Sequence, residues 1–133
     1  MDKFKTIPLR FRAWDKRQKR IRGIEEIDFA AQEVVPIDGS DVIPFSEAVI
    51  SQDTGLKDKN GKSIYTGDIV RWPISTNKKR YHYVSIVYRD GKVMYDHGPD
   101  FGSPISRYEE TALIFEDELV GNIWQNPELL EEE

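Results

Sequence analysis

The stretch from Tyr81 to Arg89 constrains this chain more than any other. Tyr81, Tyr83, Ser85, Val87 and Arg89 alternate with His82, Val84, Ile86 and Tyr88, and Asp90-Gly91 then turns the chain back into Lys92 to Tyr95. A period of two carried by β-branched and aromatic residues is a strand, so the two runs form a hairpin. The same alternation recurs near the start, where Ile7, Leu9, Phe11 and Ala13 face one way and Arg10, Arg12 and Trp14 the other. Ile69 to Trp72 is a third strand, ended by Pro73, and Leu119 to Trp124 a last one, interrupted by Gly121.

Turn chemistry separates these runs. Lys16 to Arg20 is too polar to bury and reads as a turn, after which Ile21 to Phe29 fits either a second strand or a short helix. Val34 to Asp41, with Pro36 and Gly39, reads as an irregular connection, and Ala48 to Ser51 as a short strand leading to a turn at Thr54-Gly55. Asn60-Gly61 suits a type I′ hairpin turn, and Gly67-Asp68 marks another turn. Asp96 to Ser106 has the glycines and prolines of a loop. Asn126 before Pro127 and Glu128 has the make-up of a helix start, so a short helical turn should tuck Leu129 and Leu130 onto the sheet. Trp14, Trp72 and Trp124 lie in or beside strands and should pack against apolar neighbours. The expected fold is therefore mainly β, all-β or α+β, built as small twisted antiparallel sheets or a partly open barrel. One domain over residues 1–133 is expected, with a division into two small lobes allowed near 36–46.

Composition narrows the function classes. The chain has no cysteine, which excludes disulfides, thiolate metal sites and cysteine nucleophiles. No run approaches the roughly 18 apolar residues of a membrane span, and Met1 to Arg12 lacks the apolar centre of a signal peptide, so a cytoplasmic protein is expected. The net charge of −5 conceals an alternation. Residues 1–23 carry nine Lys/Arg against Asp2 and Asp15, residues 24–56 eight acids and no base, residues 57–107 ten bases against five acids, and residues 108–133 nine acids and no base. Such blocks either pair within the fold or drive association between chains.

Three stretches together resemble the YopX family of bacteriophage and prophage proteins. They are Phe11-Arg12-Ala13-Trp14-Asp15; Thr54-Gly55-Leu56-Lys57-Asp58-Lys59-Asn60-Gly61-Lys62 with Ile64-Tyr65 and Gly67-Asp68-Ile69-Val70; and Val120-Gly121-Asn122-Ile123 with Asn126-Pro127-Glu128-Leu129-Leu130. The order and spacing run from end to end of the chain. Trp124, where a smaller aromatic or His is commoner, and Asp53, where an aromatic or small residue is usual, depart from the pattern. The resemblance implies a phage or prophage origin, an intracellular site of action in a bacterium and a mainly β fold. It implies no mechanism and no functional residues.

Individual motifs carry little chemistry. Gly61-Lys62-Ser63 lacks the upstream glycine of a phosphate loop, since Leu56 stands there. His97 with Asp96 and Asp100, and His82 across the hairpin, is the one mixture of nitrogen and oxygen donors, but aspartate, glycine and proline are ordinary loop residues, and no metal or other cofactor is expected. A nuclease pattern beginning at Pro99-Asp100 fails because no lysine follows Glu109-Glu110. The paired acids Glu25-Glu26, Glu109-Glu110 and Glu116-Asp117-Glu118 read as solvated. No catalytic constellation emerges, and the leading reading is a non-catalytic protein-binding or regulatory module, with a homo-oligomer or a host or phage protein as partner. The alternative is nucleic-acid binding. Arg10, Arg12, Lys16, Arg17, Lys19, Arg20 and Arg22 around Trp14 would neutralise phosphates and stack a base, with Lys78-Lys79-Arg80 beside Tyr81 and Tyr83 as a second patch.

Overall fold

The computed structural model describes residues 9–74, 80–99, 106–110 and 117–131. The strands among them are β1 (Phe11–Asp15), β2 (Arg20–Asp28), β3 (Glu33–Pro36), β4 (Ile43–Pro44), β5 (Ala48–Lys57), β6 (Ser63–Tyr65), β7 (Asp68–Pro73), β8 (Tyr81–Arg89), β9 (Lys92–Pro99), β10 (Ser106–Glu110) and β11 (Glu118–Asn122). Among the described residues helix is confined to two 3-10 turns, Phe45–Glu47 and Pro127–Leu130, and no helix is long and apolar enough to cross a membrane. The fold is mainly β, and its antiparallel sheets do not close into a barrel. The chain divides into two compact units, Met1–Asp53 and Thr54–Glu133, so the boundary falls inside β5 and the stretch 36–46 belongs wholly to the first unit.

In the first unit the strands run in the order β4, β3, β2, β1, β5. Ile21 to Phe29 resolves as strand, because Ile21, Arg22 and Gly23 sit opposite Trp14, Ala13 and Arg12 in the β1–β2 ladder. Val34 to Asp41 is not merely a connection. Val34 and Val35 pair with β2, and Val34 also pairs with Ile43, which gives β3 and β4. The core is small: Ala13, Val34 and Ile43 are buried, with Ile24, Phe45, Ala48 and Ile50 packed around them. Of the strand expected from Ile7, residues 7 and 8 lie outside the described residues, and Leu9 is exposed.

The second unit contains a five-stranded sheet in the order β10, β9, β8, β7, β11, and the end of β5 pairs with β6. Alternation builds its core directly. Val70 and Trp72, Val84 and Ile86, and Val93 and Tyr95 share one face, and Ile64 and Leu56 complete the cluster. Asp90 (φ 54°) and Gly91 (φ 78°) both have positive φ and join Arg89 to Lys92, the two-residue hairpin that Asp-Gly predicts.

Several local expectations are corrected. Thr54-Gly55 does not turn the chain, since it lies within β5, where the Thr54 hydroxyl donates to the Ile64 carbonyl (2.7 Å). Asn60-Gly61 is not a type I′ turn, because only Gly61 has positive φ. The loop is held instead by Asp58, whose Oδ1 accepts from the N–H groups of Asn60 (2.9 Å) and Lys62 (2.8 Å), while Oδ2 accepts from Leu119 N–H (2.9 Å). Asp96 to Pro99 continues β9 rather than opening a loop, and pairs with β10, a strand that sequence reasoning missed; residues 100–105 lie outside the described ones. Asn126 does not cap the C-terminal turn; its Oδ1 accepts from Asn122 N–H (3.2 Å). Leu129 is half-buried against the sheet, while Leu130 stays exposed.

Candidate functional site

The basic N-terminal segment does not form one surface. Residues directly opposite one another in an antiparallel pair share a face. Arg22, opposite Ala13, and Arg20, opposite Asp15, therefore lie on the face away from Arg12 and Trp14. Arg22 is only 4% exposed. Its guanidinium donates to Asp15 Oδ2 (3.0 Å), Gln18 Oε1 (3.2 Å), both Asp38 carboxylate oxygens (3.2 and 3.1 Å) and the Ser40 hydroxyl. Arg20 lies 3.7 Å from Asp38 and Arg10 3.6 Å from Asp53. Arg12 donates to Ser51 Oγ (3.2 Å), Lys16 to the Ser46 carbonyl (3.3 Å) and Arg17 to the Val42 carbonyl (3.3 Å). Lys19 sits exposed in the turn at φ 55°, and Trp14 is half-buried in β1.

This pairing follows from the charge blocks. The base-rich and acid-rich blocks of residues 1–56 meet within the first unit, through Arg22, Arg20 and Asp38 and through Arg10 and Asp53. In the second unit Arg71 pairs with Glu118 (2.7 Å), and Lys92 pairs with Glu110. Burial alone would raise the Asp15 pKa, but the N–H groups of Gln18 and Arg17 and the guanidiniums of Arg17 and Arg22 pull it below the usual carboxylate range. Asp38 is drawn down to about 2 by the Ser40 hydroxyl and N–H and by Arg22.

The second unit assembles a different cluster. Strand alternation places Trp72, His82, Tyr95 and His97 on the core face, and β10 adds Glu109 from the edge. His82 Nε2 and His97 Nδ1 are 2.9 Å apart, and His97 Nε2 lies 2.9 Å from Glu109 Oε1. The imidazole centroids are 5.1 Å apart with planes inclined by 23°. That separation is about the N···N distance plus two ring radii, so the rings meet nitrogen to nitrogen in line rather than lying over one another. Trp72 closes the group, its ring centroid 5.0 Å from that of His82, 5.1 Å from Tyr95 and 6.4 Å from His97. Behind it the Tyr95 hydroxyl donates to Asp117 Oδ2 (2.7 Å). Burial raises the pKa of both groups, so Asp117 is not the solvated acid that its sequence neighbourhood predicts.

Beside the histidines opens a cleft of about 550 Å³, lined by Ile74, Arg80, Tyr81, His82, Tyr83, His97 and residues 128–131. Arg71 lies over the Tyr81 ring (3.9 Å) and donates to Tyr83 Oη (3.3 Å), which orients both tyrosines. Lys78 and Lys79, the rest of the second basic patch, lie outside the described residues. So does Asp100, while the Asp96 carboxylate accepts from Gly98 N–H (2.8 Å). Among the described residues no group of three or more His, Asp or Glu side chains is placed to hold a metal. The hairpin register gives the signal that would have found the cluster, since pairing Ser85 with Asp96 sets His97 beside Val84, one diagonal step from His82.

The YopX protein family profile matches residues 10–131. Among solved structures, protein EF1440 from Enterococcus faecalis superposes with a TM-score of 0.63 at 26% identity, covering 95% of this chain and 100% of that one. Protein yopX from Bacillus subtilis gives a TM-score of 0.56 at 19% identity, with 93% and 97% covered, a likeness of fold alone. No curated protein matches the chain. With the family profile spanning nearly the whole sequence and the fold shared along its length, the chain belongs to the YopX family.

Proposed function

We propose that the protein is a non-catalytic binding module of phage or prophage origin, acting in the cytoplasm of a bacterial host, that takes a polypeptide segment of a host or phage protein in the cleft beside β8. One observation carries this reading: the lining of the cleft mixes classes. Ile74, Leu129 and Leu130 are apolar, Tyr81 and Tyr83 aromatic, Arg80 basic, and Glu128 and Glu131 acidic. A polypeptide offers apolar side chains, backbone donors and acceptors and either charge, and matches such a lining. A nucleic-acid backbone calls for a row of cations with no opposing acids. The guanidinium of Arg22, meanwhile, is taken up inside the first unit. Self-association belongs to the same reading, through exposed apolar side chains such as Leu9, Phe29 and Ile37 rather than through charge.

Affinity capture from bacterial lysate tests this, run with and without nuclease at two salt concentrations and in parallel with Ile74→Glu/Leu130→Glu. Both positions are exposed, so the fold should tolerate the change. The expected result is a protein retained by the wild type, indifferent to nuclease and lost with the double variant. Retention that nuclease abolishes would replace the proposal with nucleic-acid binding, and equal retention by the double variant would remove the cleft from it.

A further inference from the structure

Four neighbouring strands, β10, β9, β8 and β7, bring Glu109, His97, His82 and Trp72 into one line of side chains. At its centre two ring nitrogens face each other, His82 Nε2 and His97 Nδ1, 2.9 Å apart, and both rings line the cleft. Glu109 fixes the chemistry of one of them. Its Oε1 lies 2.9 Å from His97 Nε2 and an ionised carboxylate only accepts, so in the neutral ring Nε2 carries the hydrogen and Nδ1 keeps its lone pair, directed at His82. A carboxylate on the outer nitrogen of a histidine whose inner nitrogen is a base is the arrangement by which proteins orient histidines on metal ions. Asp96, the other carboxylate that the sequence sets beside these rings, accepts from Gly98 N–H instead (2.8 Å).

We propose that His82 Nε2 and His97 Nδ1 are the two protein ligands of a divalent transition-metal ion of the zinc class, bound at the wall of the cleft with Glu109 behind His97 and with its remaining coordination positions open. The ring positions suit such an ion. Held about 2.0–2.1 Å from each nitrogen at a tetrahedral angle, it sets the ring centroids about 5.2 Å apart, and they already stand 5.1 Å apart with planes inclined by only 23°. Turning each ring about 35° around its centroid, nearly in its own plane, aims both lone pairs at one point and widens the nitrogen separation from 2.9 Å to about 3.3 Å. The hydrogen count balances. The single hydrogen between the facing nitrogens moves from Nε2 to Nδ1 of His82, both facing nitrogens then coordinate, and neither neutral ring loses a proton. Imidazole nitrogens favour zinc, copper and nickel, whereas magnesium and calcium call for oxygen ligands. Among the described residues no third His, Asp or Glu side chain is placed to coordinate, so the open positions face the cleft and go to water or to a donor from its occupant. The inference rests on the two rings and Glu109 and holds whatever occupies the cleft.

Zinc ion alone, titrated calorimetrically at neutral pH into the full chain freed of metal and of any affinity tag, tests the site, with the imidazole nitrogens followed by NMR in the same samples. The expected result is one zinc per chain, with His82 changing from its Nε2–H to its Nδ1–H tautomer while His97 keeps its hydrogen on Nε2. Magnesium should produce neither effect. Glu109→Ala should weaken zinc binding about 10–100-fold, as loss of an outer carboxylate does, and Glu109→Gln, whose amide oxygen still accepts from His97, should weaken it less. His82→Ala and His97→Ala should each cost more than Glu109→Ala. Three results each overturn the proposal: no saturable zinc binding, zinc bound while the His82 tautomer stays unchanged, or folded histidine variants that bind zinc as the wild type does. The tautomer is read in the wild type, so the test stands even where a variant fails to fold.

Discussion

Replacing Arg22 by Met tests whether the basic segment serves the fold or a ligand. Methionine fills much of the arginine stem, so the change removes charge and hydrogen bonds more than volume. Asp38 is half exposed and regains water when its partner goes, which makes its share small, about 1 kcal/mol or less. Asp15 is 1% exposed and does not. Without Arg22 its carboxylate keeps the N–H groups of Arg17 (2.9 Å) and Gln18 (3.2 Å) and an Arg17 guanidinium at 4.0 Å, which leaves a buried charge incompletely compensated. Breaking a buried pair from one side costs about 3–5 kcal/mol, nearly all of it here at Asp15. Asp15→Asn/Arg22→Met removes both charges, and the amide oxygen of the introduced asparagine still accepts from the turn, so the double variant should recover about 1–3 kcal/mol relative to the sum of the single changes. Urea dependence of hydrogen exchange at the β1 and β2 amides reads the first unit by itself. An Arg22→Met variant within about 0.5 kcal/mol of wild type would refute the reasoning and return Arg22 to the candidate phosphate contacts. Strict additivity would show that Asp15 and Arg22 do not depend on each other.

Asp58→Ala should destabilise the second unit by about 3–5 kcal/mol, since it orphans Leu119 N–H and two loop N–H groups, and thermal unfolding measures this. Burial raises the Asp58 pKa, but the N–H groups of Leu119, Lys62 and Asn60 lower it further, so the folded value lies below the unfolded 3.8. Its contribution is therefore complete above that pH and is lost as pH falls through the folded value, and urea midpoints between neutral pH and about pH 3 should drop less in Asp58→Ala than in wild type. Asp117 has the opposite sign. Its raised pKa means stability falls as pH rises through and above 3.8, so Asp117→Asn, which still accepts from Tyr95, should unfold at higher urea than wild type at neutral pH, with the advantage gone near pH 4. Trp72→Ala should cost about 3–5 kcal/mol, read from the melting midpoint, because its ring packs on His82 and Tyr95. Because the charge blocks pair within each unit, the mass from light scattering should not change between about 0.1 M and about 1 M salt.

Legibility followed the alternation. Tyr81–Arg89 emerged with the bounds read from sequence, because one face is buried and Asp90-Gly91 sets the register. β3, β4 and β10 were missed because each is short or polar: Pro36 and Pro44 end two of them, and Ser106–Glu110 joins the edge of β9 by backbone pairing with four of its five residues exposed. Thr54-Gly55 misled because glycine at positive φ is a turn signal in sequence, whereas here Gly55 (φ 83°) kinks a continuing strand. The basic segment was read as one surface because all its charges are close in sequence, but two sides of a hairpin put Arg12 and Arg22 on opposite faces, and only the burial of Asp15 shows which of them is structural. Of the His82–His97–Glu109 line, the histidines were open to the sequence through the hairpin register that Asp90-Gly91 sets, whereas Glu109 was not, since it rides on a strand with no hydrophobic signature.

The residues through which the family can be recognised turn out to be fasteners. Asp58 binds its own loop to β11, Gly61 takes the left-handed turn, and Gly67 (φ 89°) leaves room for the Trp124 ring, which a Cβ there would overlap. A Cβ at Gly121 would likewise collide with the Asn126 side chain. Asn122 Oδ1 accepts from Trp124 N–H (3.1 Å) and Gln125 N–H (2.9 Å), while its own N–H donates to Asn126, so each asparagine shapes the turn through the other. Every one of these roles is satisfied within the chain and leaves little for a ligand. A motif of this kind specifies the fold, although its last stretch also lends Glu128, Leu129 and Leu130 to the cleft; if the cleft binds as proposed, partner choice is expected from the lining residues outside the family stretches, Ile74, Arg80, Tyr81 and Tyr83 with His82 and His97. Exchanging those cleft residues for their counterparts in another family member should transfer partner choice with the melting midpoint changed by no more than a few degrees, whereas exchanging Gly67 or Asn122 for a larger side chain should collapse the midpoint without redirecting binding. Captured partners that track Gly67 or Asn122 instead of Ile74, Arg80, Tyr81 and Tyr83 would show that this division between fold and recognition is wrong.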